Sequence, residues 1–455
     1  MLRRQVIAGM TLGALAPWAW PRTEGQRRLG DGIGLNVMFS QGQPLDELPM
    51  LTDLGVRWVR DHLPWRVVEP RAGWNAPWPP AWRERLAFYR EHDIGLVCVL
   101  GLSNDLAYPP SSEAPAHHVD PGAFGRHAAA MARGLSALGL RFVLEIGNEP
   151  HNGVLQQLLG GDWAGRPPAP WLEHYVRMVA AATATVKSVD PAIAVLSDDD
   201  MWVTHYRYLD AGLPPALDGF AVHPYVPGGP ERTLDPAGDW MQPHRVADDD
   251  RALASAVRRL RERGEARLGH LPSIWLTEWG WPVAEAGQGE PRFIDEPTQA
   301  ARLPRAFILA EAAGVTVLCW YVSKDIGEGS FGLVQRGGVR RAAYDSLRTL
   351  QRELGDWSFE QQLLGQLRPG EGLQIFLFRR GAAVKLALWH ADEVERTVRL
   401  SGPWMGLRAV DARGRAVVPV SSEPDAAEWR IGGLPLYFSG ESAPGDVEDW
   451  ARHVD

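Results

Sequence analysis

Eight short apolar runs recur along the chain, each followed by a longer amphipathic stretch, and this alternation limits the fold more than any other feature. The runs cover residues 33–37, 56–60, 95–101, 141–147, 193–197, 219–223, 274–278 and 315–321. They are mostly Val, Ile, Leu and Phe without polar alternation, the texture of parallel strands buried on both faces. The stretches between them have helical spacing. Phe124, Ala128, Met131, Leu135 and Leu138 share one face; so do Trp171, Tyr175, Met178, Ala182 and Val186; so do Leu303, Phe307 and Ala310. Strands alternating with helices build an α/β fold, and eight such units predict a closed (β/α)8 TIM barrel.

A helix over residues 341–354 would complete the barrel. Beyond Gly355 the texture changes to short alternating runs at 373–378, 384–389, 397–400, 407–410, 416–420 and 429–431, with turns at Arg413-Gly414 and Gly432-Gly433. That spacing predicts a small C-terminal antiparallel β-sandwich domain. The expected organisation is therefore an export signal or N-terminal anchor over 1–25, a barrel over 30–355, a β-sandwich over 356–441 and an acidic tail over 442–455. The N-terminal assignment rests on Arg3-Arg4 ahead of an apolar stretch from Val6 to Trp20, a signal-peptide pattern whose paired arginines suggest the twin-arginine route. Pro17 follows Ala14-Leu15-Ala16 where cleavage would occur, so both a cleaved signal and a retained anchor stay open. The expected location is exported, periplasmic or extracellular.

The formal net charge of -9, with no long basic run, speaks against a nucleic-acid partner. Cys98 and Cys319 each lie inside an apolar run and read as small buried residues, without disulfide or zinc spacing. Asp198-Asp199-Asp200 lacks the alternating ligand spacing of a calcium loop and reads as a solvated acidic turn. Asp248-Asp249-Asp250 reads as charge at a helix N-terminus. His117-His118 has no third ligand nearby. No metal, cofactor or protein partner is expected.

In a (β/α)8 barrel the chemistry lies just past the C-terminal ends of the strands. Those ends carry Arg60-Asp61-His62, Ser103-Asn104, Asn148-Glu149-Pro150, His223-Pro224-Tyr225, Thr277-Glu278-Trp279 and Trp320-Tyr321. Glu149 and Glu278, at the ends of strands 4 and 7, would face each other across the mouth. Glycoside hydrolysis needs such a pair: one carboxyl to protonate the leaving oxygen, one carboxylate to attack the anomeric carbon. Trp65, Trp74, Trp78, Trp279, Trp281 and Trp320 crowd the same rim. They either stack on the sugars of an extended chain or brace long loops.

The segment LEIGNEPH (residues 144–151) resembles the Asn-Glu-Pro signature of clan A glycoside hydrolases, and IWLTEWGWP (274–282) is similar to the clan's nucleophile strand. Thr-Glu-Trp points to family 39, which includes β-xylosidases and hydrolases of bacterial exopolysaccharides. RWVRDHLPWRVVEPRAGWN (57–75), His-Pro-Tyr (223–225), Trp320-Tyr321 followed by Asp325, FGLV (331–334), AAYDSL (342–347) and LPLYFSG (434–440) agree with that placement. The resemblance implies a retaining mechanism with Glu149 as acid/base and Glu278 as nucleophile. It implies that Asn148 holds the sugar 2-hydroxyl and that Tyr225 donates a hydrogen bond to Glu278. It places Arg60 beside the nucleophile, His223 next to the carboxylates, Trp320 under the reacting sugar and Trp279 among the substrate contacts. A β-linked polysaccharide or oligosaccharide is the implied substrate, cut internally or from one end. A non-catalytic glycan-binding barrel and a transglycosylase are the competing readings. The sequence departs from the pattern twice, at His151 after Glu-Pro and in the acidic loop from Asp198 to Trp202.

Overall fold

The computed structural model describes residues 27–152, 154–232, 251–284, 293–327, 329–364, 371–404, 406–440 and Val454. The N-terminal stretch expected to act in export, the three aspartates at 248–250 and nearly all of the acidic tail lie outside the described residues.

Eight parallel strands close into a barrel in sequence order: β1 (Ile33–Asn36), β2 (Trp58–His62), β3 (Gly95–Leu100), β4 (Phe142–Ile146), β5 (Ala194–Asp199), β6 (Gly219–Val222), β7 (Ser273–Trp279) and β8 (Val317–Trp320). The expected α/β TIM barrel is thus present. The amphipathic stretches are helices, among them Pro121–Ala137, Pro170–Val189, Glu296–Ala312 and Ala342–Leu354. Each buries its apolar stripe against the strands.

Side chains alternate across a strand, so inward-facing residues recur every second position. Trp58, Val97, Val143, Leu196, Ala221, Trp275 and Cys319 belong to an apolar plug of buried residues within the barrel. Two positions further along five of those strands stand Arg60, Glu145, Asp198, His223 and Thr277, all buried. One step of the strand period therefore carries the barrel axis from a hydrophobic floor to a charged layer. Burial pushes the thiols of Cys319, in that floor, and of Cys98, on the outer face of β3, well above their usual pKa.

The chain then forms β9 (Ser358–Leu364), β10 (Leu373–Arg380), β11 (Ala383–His390), β12 (Arg396–Ser401), β13 (Arg408–Asp411), β14 (Ala416–Val417), β15 (Ser421–Ser422), β16 (Ala426–Ile431) and β17 (Leu436–Ser439). A six-stranded sheet, β14-β13-β17-β11-β10-β9, faces a three-stranded one, β12-β16-β15. Strand period decides the packing here too. Phe376 and Phe378 join the barrel-side core, while Ile375 and Leu377 join Val398, Leu400, Trp429 and Ile431 between the sheets. A fully buried Arg305 ties the two parts together, donating to Glu231 at 2.9 and 2.7 Å and to Glu393 at 2.9 Å.

Candidate active site

Glu149 follows β4 on a turn that inverts the backbone twice. Gly147 has φ +84° and Glu149 φ +44°. Glycine adopts this left-handed region freely, but at Glu149 it is strained and must be held by its surroundings. The holder is Asp198 at the end of β5, whose Oδ2 accepts the Glu149 backbone N–H at 2.7 Å. Glu278 enters the mouth from β7, where the pairing with β8 shifts register between Leu276 and Trp279. A register shift of this kind re-aims the side chains on either side of it.

Both glutamates line one cavity of about 720 Å³, together with Asn36, Arg60, Asn148, Tyr225 and Trp281. One carboxylate oxygen from each lies within 4.8 Å of the other and of a His223 ring nitrogen. Arg60 ion-pairs with Glu278, donates to Glu145 Oε1 at 2.9 Å through Nε and to Asn148 Oδ1 at 2.7 Å through Nη2. Holding Asn148 by its oxygen leaves the amide NH₂ for a ligand hydroxyl. The Tyr225 O–H donates to Glu278 Oε2 at 3.0 Å. Asn36, which the sequence reading passes over, donates to Thr277 O at 2.7 Å and accepts from Arg60 Nη1 at 3.1 Å.

His223 stands between the glutamates. Its Nδ1 is 2.8 Å from Glu149 Oε1 and 3.8 Å from Glu278 Oε2; its Nε2 is 3.1 Å from Thr277 Oγ1 and 3.2 Å from Asp198 Oδ1. Burial alone would keep the imidazole neutral. The charges of Asp198 and Glu278, with the hydrogen bond to Glu149, outweigh it and raise the pKa to about 10. Burial also works to raise Glu149, but the bond to His223 and its charge hold that carboxyl below its usual value. Burial pushes Asp198 upward, so Asp198 and His223 compete for one proton. The N–H that Asp198 already accepts, and its place beside Nε2, favour the proton on the imidazole.

The acidic stretch at 198–200 corrects the sequence reading: it is no solvated turn. Asp198 and Asp199 are fully buried residues of β5, and Asp200 lines the cavity. Strand alternation sends Asp198 toward His223 and Asp199 the other way, where His151 Nδ1 meets its Oδ1 at 2.6 Å and the Tyr208 hydroxyl donates to Oδ2. Asp200 Oδ1 is 3.0 Å from His151 Nδ1, and Asn152 Nδ2 donates to Asp200 Oδ2 at 3.3 Å and to Glu149 Oε2 at 3.2 Å. The two departures from the family pattern, His151 and the acidic stretch, are thus each other's partners. Burial would lower His151, yet Asp199 and Asp200 raise it to about 10.

Three groups of carboxylates and histidines bring possible ligand atoms together among the described residues: Glu145, Asp198 and His223; Glu149, His223 and Glu278; His151, Asp199 and Asp200. A cation needs a neutral imidazole with a free lone pair. Here His151 and His223 hold protons between carboxylates, so the donor set fits a proton network.

Of the two readings of the rim tryptophans, stacking on sugars or bracing loops, most of their positions fit bracing. Trp320 is fully buried behind Trp281 at 5.9 Å, and Trp279 is fully buried at 5.3 Å from Trp281. Neither lines the cavity with Glu149 and Glu278; Trp281 does. Trp65 is buried, stacked on His127 at 4.7 Å, while Trp74 is exposed under Arg71. Large apolar rings near a barrel rim are drawn beneath the loops, and a rim position in sequence does not distinguish bracing from stacking.

Neither a protein-family model nor a curated protein sequence matches this chain. Solved structures do. A family 39 glycoside hydrolase from Bacteroides cellulosilyticus WH2 superimposes with TM-score 0.70 at 21% identity, over 91% of this chain and 81% of that one. A family 39 enzyme from Xanthomonas axonopodis pv. citri gives 0.56 at 14% identity, over 92% and 95% of the two chains. A family 30 endoxylanase from Clostridium papyrosolvens C71 gives 0.55 at 9%, over 92% and 97%. At these identities the likeness establishes a shared fold, a barrel with its β-sandwich companion.

Proposed function

We propose that the chain is a retaining glycoside hydrolase cleaving β-linked poly- or oligosaccharide by double displacement. One observation supports this above the others: carboxylate oxygens of Glu149 and Glu278 lie within 4.8 Å across a shared cavity. Retaining enzymes hold their carboxyl groups about 5–5.5 Å apart, whereas inverting ones need about 6.5–9.5 Å to admit water.

In the first step Glu278 attacks the anomeric carbon, held by Arg60 and the Tyr225 hydroxyl. The bond from that carbon to the leaving oxygen breaks with its electron pair on oxygen, which takes a proton from Glu149. His223 Nδ1, 2.8 Å from Glu149 Oε1, stores that proton before the step. A glycosyl ester of Glu278 results. In the second step Glu149 removes a proton from water, the water oxygen bonds to the anomeric carbon, and Glu278 is released. The lowered Glu149 pKa keeps the carboxylate ionised between turns, ready to take the proton from water, and His223 resupplies the proton for the acid role.

The finer reading is internal cleavage of a polymer, an exopolysaccharide being the substrate we favour. A 720 Å³ cavity is roomier than one sugar ring requires, which supports it; the tryptophan row lends nothing. The N-terminal pattern supports an exported location. Proton NMR of the first product tests the mechanism: the freshly released sugar has the β configuration, and α product at early time defeats the proposal. Early products made only of monosaccharide defeat internal cleavage.

A further inference from the structure

The loop after β6 carries Tyr225, and it is a thin wall. Val226 and Pro227 line the cavity that holds Glu149 and Glu278, and they also line a second cavity of about 550 Å³ on the seam with the β-sandwich. Space on both sides leaves a loop little packing to fix it, so its position depends on hydrogen bonds. Two side chains fasten this one. Arg302 Nη1 donates to the Pro227 carbonyl at 2.9 Å, and Trp281 Nε1 donates to the Gly228 carbonyl at 2.9 Å. We propose that Glu393, a residue of the β-sandwich, is a positioning residue for the active site: it aims Arg302, and through Arg302 it holds the loop that presents Tyr225 to Glu278. The catalytic consequence rests on the glycosidase reading.

Each link is built. Arg302 lies on the helix Glu296–Ala312 and is 7% exposed. A guanidinium in such a place needs acceptors for a rigid fan of donors. Glu393 meets it as a fork, accepting from Nε at 2.7 Å and from Nη2 at 3.0 Å. Two parallel bonds fix the plane of the guanidinium, and that plane sends Nη1 to Pro227. Arg302 Cζ also stands 5.7 Å from the centre of the Trp281 ring, within reach of a cation–π contact. The same guanidinium therefore supports both fastenings of the loop.

Glu393 is an unusual residue for its place. It stands in the connection from β11 to β12 at φ +63°, in the left-handed region that glycine adopts freely. A glutamate keeps such a backbone where its surroundings hold it. Burial disfavours its charge, yet the bond from Arg302 and the charges of Arg305 and Arg302 hold the carboxyl below its usual value. Arg305 keeps Glu231 at 2.9 and 2.7 Å when Glu393 is removed, so the loss falls on Arg302. From there it reaches chemistry through the Tyr225 hydroxyl, 3.0 Å from Glu278 Oε2.

Glu393→Ala tests the link, beside Glu393→Gln, which keeps the volume and one acceptor oxygen. Amide hydrogen exchange read by mass spectrometry follows the loop itself. A peptide spanning 223–229 exchanges at least about tenfold faster in Glu393→Ala and less so in Glu393→Gln, while one spanning 144–152 is unchanged. Activity is read on dinitrophenyl β-xylobioside, β-cellobioside and β-lactoside, which both internal and terminal cutting can use. Glu393→Ala lowers kcat/KM about tenfold in the unaltered enzyme but less than about twofold in Tyr225→Phe, where the aimed hydroxyl is already gone. Exchange unchanged in both Glu393 variants overturns the positioning role and leaves the glycosidase standing. Equal fold losses with and without the Tyr225 hydroxyl mark a role in stability alone and overturn it as well. An unaltered enzyme that turns over none of the three glycosides overturns the glycosidase reading, and the exchange rates still decide whether Glu393 holds the loop.

Discussion

Replacing Asp198 by Asn keeps the side-chain shape and an oxygen for the Glu149 backbone N–H, but removes one negative charge from beside His223. Asp198 Oδ1 is 3.2 Å from His223 Nε2. Unit charges at that distance attract by roughly 5 kcal/mol at an effective dielectric constant of about 20. One pKa unit corresponds to about 1.4 kcal/mol, so losing the whole attraction would lower the His223 pKa by roughly 3 to 4 units. The amide dipole and the remaining carboxylates recover part of this. A fall of at least about one unit is the expected outcome. The readout is the pH dependence of kcat/KM on a glycoside with a poor leaving group, which depends on the stored proton. Its alkaline limb moves to lower pH by at least about one unit, and activity on that substrate is lost in the pH window between the two limbs. Aryl glycosides with good leaving groups lose much less. An alkaline limb unmoved in Asp198→Asn, with the protein folded by circular dichroism, refutes the proton store.

Four further outcomes follow from the same geometry. A 2-deoxy-2-fluoro glycoside with a good leaving group labels Glu278, and peptide mapping that finds the label elsewhere removes its role as nucleophile. Glu149→Ala loses roughly 10²- to 10⁴-fold on unactivated substrates, keeps slow turnover of dinitrophenyl glycosides and gains rate with azide; equal loss on both without an azide effect refutes the acid/base role. Asp199 and Asp200 raise His151 from the ordinary imidazole value of 6.5 to about 10, so its stabilising contribution is full below about 6.5 and lost as pH rises through 10; His151→Gln flattens the decline in Tm over that window, and an unchanged slope counts against the pair with Asp199. Trp281→Ala and Trp320→Ala each cost about 3–5 kcal/mol in urea unfolding as buried rings, but only Trp281→Ala, at the cavity wall, also raises KM; a KM raised by Trp320→Ala and not by Trp281→Ala would return Trp320 to the substrate.

The barrel was legible because its strands are uniformly apolar and its helices keep one apolar stripe, both properties of local sequence. The facing glutamates, the proposed catalytic pair, were legible because Glu149 and Glu278 stand at strand ends beside residues of recognisable pattern. Glu145 was missed although its signal was present: a carboxylate inside Leu144-Glu145-Ile146 has no solvent to face and needs a cation, which Arg60 supplies. β9 escaped because Ser358–Leu364 carries Glu360, Gln361 and Gln362 in its middle, and nothing local separates an edge strand of that composition from a loop. Which tryptophan reaches the cavity was not legible for a different reason. Trp279 and Trp320 pack against Trp281, which takes the place at the cavity wall, and rim position alone does not tell which of three neighbouring rings does so.

The three aspartates at 198–200 show what a run of like charge can mean in a barrel. Read as neighbours, they repel and belong in water. Placed at the end of a strand, they alternate, so Asp198 faces the barrel axis and Asp199 the helices, and each meets its own histidine. The histidines come from different segments, His223 after β6 and His151 after β4, so the end of β5 ties the loop bearing Glu149 to both sides. Glu149 at φ +44° requires such a tie, because without the Asp198 acceptor its N–H would be unpaired and its backbone free to relax. Charge repulsion within the run is thus offset by contacts no local pattern reveals. The residue that holds the Glu149 backbone lies one strand away from it.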